Sequence, residues 1–242
     1  MSSKKYEILT KGETKIVNRK TLYRIRAIKD FGNVKVGDIG GWIEKEFNLS
    51  HEGTCWIYND AIVCEIARVS ENARVSGYAL VCENAQVSGN AIVSEDAIVC
   101  KYAIVKENAI VCEIAGVKEN AIVSGYALVC ENAIVCENAI VCENAQVSGN
   151  AIVGEYALVC ENAQVSGSAI VNGNAIVNGN AIVSGNALVS EDAIVSGVAI
   201  VSGSAFLDGR PNRNNVIDQN DILDLQIALG TANTIKEFCA MV

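Results

Sequence analysis

The sequence predicts an all-β solenoid of very short strands, and three observations carry that expectation. Alanine recurs at every sixth residue from Ala61 to Ala205 without a break. Valine stands two residues further on, from Val63 to Val201, with Ile57 and Leu207 closing its row. A strict period of six fits neither a helix, whose apolar stripe recurs at about 3.6 residues, nor a five-residue repeat coil.

Residues 1–50 precede the repeat and read as an N-terminal cap, because the open end of a solenoid is a sheet edge that must be covered. An alternating strand is expected over residues 22–28. MSSKKYEILTKGETK, at the start, lacks the apolar core of a signal peptide. The repeat domain follows over residues 51–207, with the unit A-x-V-[SC]-[GE]-[NY]. Ala-x-Val alternates, so Ala and Val share the inward face and x takes the outward one. The next three residues turn the chain. Asn dominates the position before Ala, as at Asn84, Asn132 and Asn144, and a left-handed backbone is expected there. Valine and alanine fill the bore, which leaves no room for a ligand inside it.

Residues 208–242 form a C-terminal tail. The repeat breaks at Arg210-Pro211, and residues 221–229 read as a short amphipathic helix ended by Gly230. NRNNVIDQND is similar to a dockerin or EF-hand calcium loop, with Asn212, Asn214, Asp218 and Asp221 at ligand-like spacing. The place of its acidic first ligand holds Arg210, so a plain helical end-cap is the reading over the 210–221 segment.

Half of the 242 residues are hydrophobic but only 5% are aromatic, and there is one proline. The apolar content is mainly Ala, Val and Ile, so the core is narrow. No apolar run is long enough to span a bilayer, and no membrane partner is expected. Ten cysteines without an export signal read as free thiols in a reducing compartment, which points to the cytoplasm. The net charge of −9 is unevenly placed. Residues 1–50 carry eleven Lys and Arg against six Asp and Glu, and the rest carries eight against twenty-two. An acidic body does not grip phosphates, so no nucleic-acid partner is expected.

This pattern resembles the hexapeptide-repeat left-handed parallel β-helix, which implies 18 residues per triangular coil and a left-handed wind. The stretch YRIRAIKDFGNVKVGDIGGWIEKEFNLSHEGTCWIYNDA resembles the head of the YdcK-like bacterial and phage proteins, which also continue into a hexapeptide β-helix. Some members are described as transferases on fold alone, and the resemblance brings no catalytic residues with it. ENAQVSGNAIV occurs at 83–93 and 143–153, and SGYALVCENA at 76–85 and 124–133. Neither spacing is a multiple of 18, so each copy lands on a different face and the faces look interchangeable.

On 18-residue coils, Cys64, Cys82, Cys100 and Cys136 share one column, Cys112 and Cys130 a second, and Cys142 and Cys160 a third. A column supplies neighbours in a line and not a tetrahedron, so these read as small corner residues standing in for Ser, with no metal site. Glu65, Glu83, Glu119, Glu137, Glu155 and Glu191 also stack, broken by Lys101, and read as a solvated acidic face. Hexapeptide acyltransferases generally use a His as general base, and β-helix carbonic anhydrases need several for zinc. The single His51, at the cap–repeat junction, excludes the zinc chemistry and reads as incidental. No ranked threonines suit ice binding. No catalytic, cofactor-binding or metal residue is therefore assigned, and no cofactor.

The outward row Ile62, Leu80, Ile98, Gly116, Ile134, Ile152, Ile170, Leu188, Phe206 is apolar almost throughout, and a stripe of this length points to a partner surface. The expectation is a noncatalytic rigid scaffold or binding module that forms a homo-oligomer along this row, with any other protein partner unknown. The alternatives are a trimeric acyltransferase-like enzyme with His51 as its base, and an acidic rod that mimics a nucleic-acid backbone.

Overall fold

The computed structural model describes residues 4–17 and 19–208, together with the strand Val216–Ile217. It is a three-sided parallel β-solenoid. Each repeat contributes a two-residue strand, such as Ile134–Val135, whose partners lie eighteen residues away on either side. The strands sort into three sheets, one of thirteen strands and two of nine. Nine levels at about 4.8 Å each make a rod about 40 Å long.

The alanine and valine rows point inward. Ala133 and Val135 are both fully buried, and the rows continue so along the rod. The residue between them faces out, so the one-residue alternation read from the sequence holds. Two backbone bonds per side lock each level to the next, as where Ile134 N–H donates to Ala151 O at 2.9 Å and Cys136 N–H to Val153 O at 2.9 Å.

Each corner is a four-residue turn closed by a bond such as Ala139 N–H to Cys136 O at 3.2 Å. The left-handed residue is not the asparagine expected from the sequence but the Glu or Gly before it, as at Glu137 (φ 60) and Gly149 (φ 71). A positive φ at the first central residue alone is the geometry of a type II′ turn, which explains Gly there. Asparagine serves a different purpose. Its amide reaches the next level, Asn72 Nδ2 donating to Asn90 Oδ1 at 3.2 Å and Asn90 Nδ2 to Asn108 Oδ1 at 3.0 Å.

Four strands build the cap: β1 (Tyr6–Ile8), β2 (Thr14–Val17), β3 (Lys20–Ala27) and β4 (Ile39–Ile43). β3 pairs antiparallel with the other three, and β4 then pairs parallel with Ile62–Val63. The first solenoid sheet thus extends back into the cap. That approach requires two glycines, since a Cβ on Gly40 would sit 2.6 Å from Trp56 Cζ2 and one on Gly41 2.4 Å from Ile57 Cγ2. Trp56 plugs the open bore, edge-on to Phe31 at 5.4 Å and to Tyr6 at 6.2 Å. At the far end Val216–Ile217 adds a strand beside Ile194–Val195. The expected helix at 221–229 and the rest of the 210–221 segment lie outside the described residues.

Candidate functional site

His51 lies where the cap meets the second sheet. It lines a groove of about 750 Å³ with Glu46, Phe47, Ser50, Arg68, Ser70 and Gln86. The 3₁₀ turn Glu46–Asn48 overhangs this groove, held by Asn48 Nδ2 donating to Ala67 O at 2.9 Å. His51 Nδ1 accepts the backbone N–H of Lys5 at 3.3 Å, which places the ring proton on Nε2. Nε2 then donates to Glu46 Oε1 at 3.0 Å. The ring also stacks on Tyr6 with centroids 4.3 Å apart. A general base needs a free lone pair aimed at its substrate. The single lone pair of this neutral imidazole is already given to a backbone N–H. Glu46 is similarly engaged: hydrogen bonds from Lys4 and then from His51 hold its carboxyl below the usual carboxylate range.

Lys5 anchors the same corner from inside. It is fully buried, and its ammonium donates to the carbonyls of Cys55 at 2.9 Å and of Glu52 and Gly53 at 3.3 Å. Cys55 Sγ stands 3.2 Å from Nζ, and the Phe31 ring 4.9 Å away. Burial pushes the Lys5 pKa down and the Cys55 pKa up, because each charged form loses water. The sequence showed no sign of this tether, since one lysine in a basic leader looks like any other.

The stacked thiols are free. Cys64, Cys82 and Cys100 follow the paired strands Ile62–Val63, Leu80–Val81 and Ile98–Val99, so they stand on consecutive levels. The neighbouring Cys100 thiol pushes the Cys82 pKa up, and Cys82 in turn pushes that of Cys100 down. Cys142 and Cys160 likewise stand on consecutive levels, and burial pushes both pKa values up. Cys136 has Lys118 below it and Gly154 above it in the column, and forms with Glu119 and Glu137 a cluster whose ligand atoms lie within 4.8 Å. That cluster is already satisfied, because Glu119 takes Lys101 Nζ at 3.0 Å and the backbone N–H of Glu137 at 2.9 Å.

The glutamate column is more than a solvated face. In it Glu119 Oε2 accepts Glu137 N–H at 2.9 Å and Glu155 Oε2 accepts Gly173 N–H at 3.0 Å, and on another corner Glu71 Oε2 accepts Gly89 N–H at 2.7 Å and Glu107 Oε2 accepts Gly125 N–H at 2.7 Å. Each carboxylate satisfies the corner amide of the next level. This interlevel bond accompanies the left-handed backbone of those glutamates.

The apolar row occupies the first sheet in register from Ile62 to Phe206. The cap takes its first member: Ile62 is 8% exposed, packed with Trp42 and Leu22, and Leu80 leans on the same cluster. Further along, Ile98 is 43% exposed, Ile170 36% and Phe206 59%. The second sheet carries a shorter unbroken row, Ile104, Ile122, Ile140, Leu158, Ile176, Ile194, which follows the polar pair Arg68 and Gln86. In the third sheet Gln146 and Gln164 break the row. Among the described residues no helix is long and apolar enough to cross a membrane.

The model of the YdcK beta solenoid repeat matches residues 67–83, 85–101, 145–161 and 181–197. The first two matches begin at alanines on the second sheet and the last two at alanines on the third, which agrees with interchangeable faces. A protein of Escherichia coli K12 described as the uncharacterized acetyltransferase YdcK is 47% identical over 57 residues. That is 23% of this chain and only 18% of the relative's length. Among solved structures, LpxA from Acinetobacter baumannii is 14% identical over 69% of this chain and 80% of its own, with a TM-score of 0.31. UDP-N-acetylglucosamine acyltransferase from Campylobacter jejuni is 15% identical over 70% and 85%, with a TM-score of 0.28. In its repeated fold and in these matched segments the chain is similar to the YdcK-like hexapeptide-repeat β-solenoid proteins.

Proposed function

We propose that this protein is a noncatalytic, rigid β-solenoid scaffold that self-associates along the apolar row of its first sheet. The observation that supports this is the row itself, with Ile98, Ile170 and Phe206 each at least a third exposed along one face of a rod about 40 Å long. A second copy is the occupant argued for, because another solenoid presents apolar side chains at the same rise per level. At about 25 cal/mol per Å² of apolar area removed from water, covering the row offsets the cost of association. The left-handed wind and a cytoplasmic setting for the free thiols belong to the same reading.

A second reading, an acyltransferase-like enzyme, is favoured by the groove beside His51 and by the name of the E. coli relative. Against it stands the lone pair of His51, which is engaged by Lys5 N–H. The test is a charge placed on the face. Ile134→Lys, Ile152→Lys and Ile170→Lys together leave the inward rows untouched and should convert an oligomer into a folded monomer by light scattering. The matching triple on the second sheet, Ile122→Lys, Ile140→Lys and Leu158→Lys, should leave the mass unchanged. A first-sheet triple that keeps the wild-type mass would refute the assignment of the interface.

A further inference from the structure

We propose that Cys82 and Cys100 form a two-coordinate site for a soft monovalent d¹⁰ metal ion, such as Ag(I) or Cu(I), held between consecutive levels of the solenoid. The proposal rests on spacing. The two residues stand in register on paired strands, Val81 beside Val99, with Cys82 N–H donating to Val99 O at 3.0 Å and Cys100 N–H to Val117 O at 3.0 Å. In-register residues of a parallel sheet point the same way and lie about 4.8 Å apart. Two metal–thiolate bonds of about 2.3 Å laid end to end span almost that distance. A disulfide needs its Cβ atoms to approach to about 3.8 Å, closer than two parallel side chains on adjacent levels stand. The backbone ladder that fixes the levels therefore favours a bridging ion over an S–S bond.

The surroundings suit the ion. The two thiols stand on the same corner at consecutive levels. On binding, M(I) replaces the two thiol protons and leaves a bis-thiolate of charge −1. Lys101 and Lys118 act on the charge of Cys100 against Glu83, which opposes them. Thiolate selects soft ions, and two donors in a line do not make the tetrahedron that Zn(II) requires. The Cys64–Cys82, Cys112–Cys130 and Cys142–Cys160 pairs repeat the register, whereas Cys136 has no thiol on either adjacent level. A bland account, that Cys replaces Ser as a corner residue, makes no distinction between Cys136 and the in-register pairs.

The experiment uses the reduced full chain, titrated with Ag(I) in excess glutathione so that isolated thiols exchange their metal away, with bound ions counted by native mass spectrometry. Ser occupies the same position of the six-residue unit at many corners, as at Ser94 and Ser124, and in this column at Ser190, so Cys→Ser variants keep the fold. The wild type should retain Ag(I). Cys82→Ser should lose one ion, since it leaves neither Cys64 nor Cys100 a thiol on an adjacent level, Cys136→Ser none, and Zn(II) should not be retained. X-ray absorption at the silver edge should count two sulfurs. Retention of the full complement by Cys82→Ser, an equal loss in Cys136→Ser, or a count of three or four sulfurs would overturn the site. So would a Cys82–Cys100 disulfide forming readily under mild oxidant, since the spacing argument forbids it.

Discussion

Replacing Lys5 with Met separates the cap from the rod energetically. The methionine keeps an unbranched apolar stem in the same buried space but removes the ammonium. Three carbonyls, of Cys55 at 2.9 Å and of Glu52 and Gly53 at 3.3 Å, then lose their donor. A hydrogen bond to a charged group contributes about 1.5–3 kcal/mol, and two of these three are long. Against that loss stands the release of a buried cation, whose desolvation is felt in its lowered pKa. The balance is a destabilisation of about 2 kcal/mol. In a protein of this size that corresponds to about 4–8 °C in the melting temperature of the affected unit. Both tryptophans, Trp42 and Trp56, sit in the cap and its first coil, so fluorescence reports that end alone while far-ultraviolet circular dichroism reports the whole rod. Lys5→Met should lower the fluorescence midpoint and leave the dichroism midpoint in place, because solenoid stability is summed from neighbouring levels. An unchanged fluorescence midpoint would show that the buried lysine does not tether the cap.

Three further outcomes follow. Val135→Ala removes buried methyl groups from the bore and should cost about 2 kcal/mol, whereas Ile134→Ala on the outward face of the same strand should cost well under half of that in a monomeric background, and equal losses in denaturant melts would contradict the inward–outward alternation. Acid should loosen the cap before the rod. Asp60 is held below its ordinary 3.8 by the Trp42 indole and Arg24, and Glu46 below its ordinary 4.5 by Lys4 and His51. Their folded pKa values lie below the unfolded ones, so this stability is present above those ordinary values and is lost as the pH falls through the folded pKa values. Tryptophan fluorescence followed from pH 6 to pH 2 should therefore change before the dichroism does, and simultaneous loss of both signals would refute the cap-specific role of these pairs. Finally, His51→Ala should lower the thermal midpoint of the cap without abolishing any acyl-transfer activity found in the wild type; a large loss of transfer would promote the enzyme reading.

The alternation of Ala and Val against Ile was legible because it depends only on the two-residue period of a strand, and every level from Ala61 to Val201 repeats it. The corner chemistry was not. Asparagine is the residue most often associated with a left-handed backbone, so composition pointed to it, but the II′ turn puts the positive φ one residue earlier, on Glu137 and its equivalents. Glutamate is tolerated there while its carboxylate reaches the amide of the next level, as Glu119 reaches Glu137, a contact eighteen residues away that no local pattern reveals. The single histidine was visible, yet its fate was decided by Lys5 N–H, forty-six positions earlier. The outward row was read correctly along the rod but not at its start, where β4 brings Trp42 across Ile62.

The most direct measurement is the solution mass of the wild type by light scattering at tens of micromolar. If the apolar row of the first sheet is an interface between copies, the mass is a whole multiple of 25.6 kDa greater than one. A mass of 25.6 kDa would mean that Ile98, Ile134, Ile152 and Ile170 are there only as good strand formers, and the scaffold reading would lose its main support.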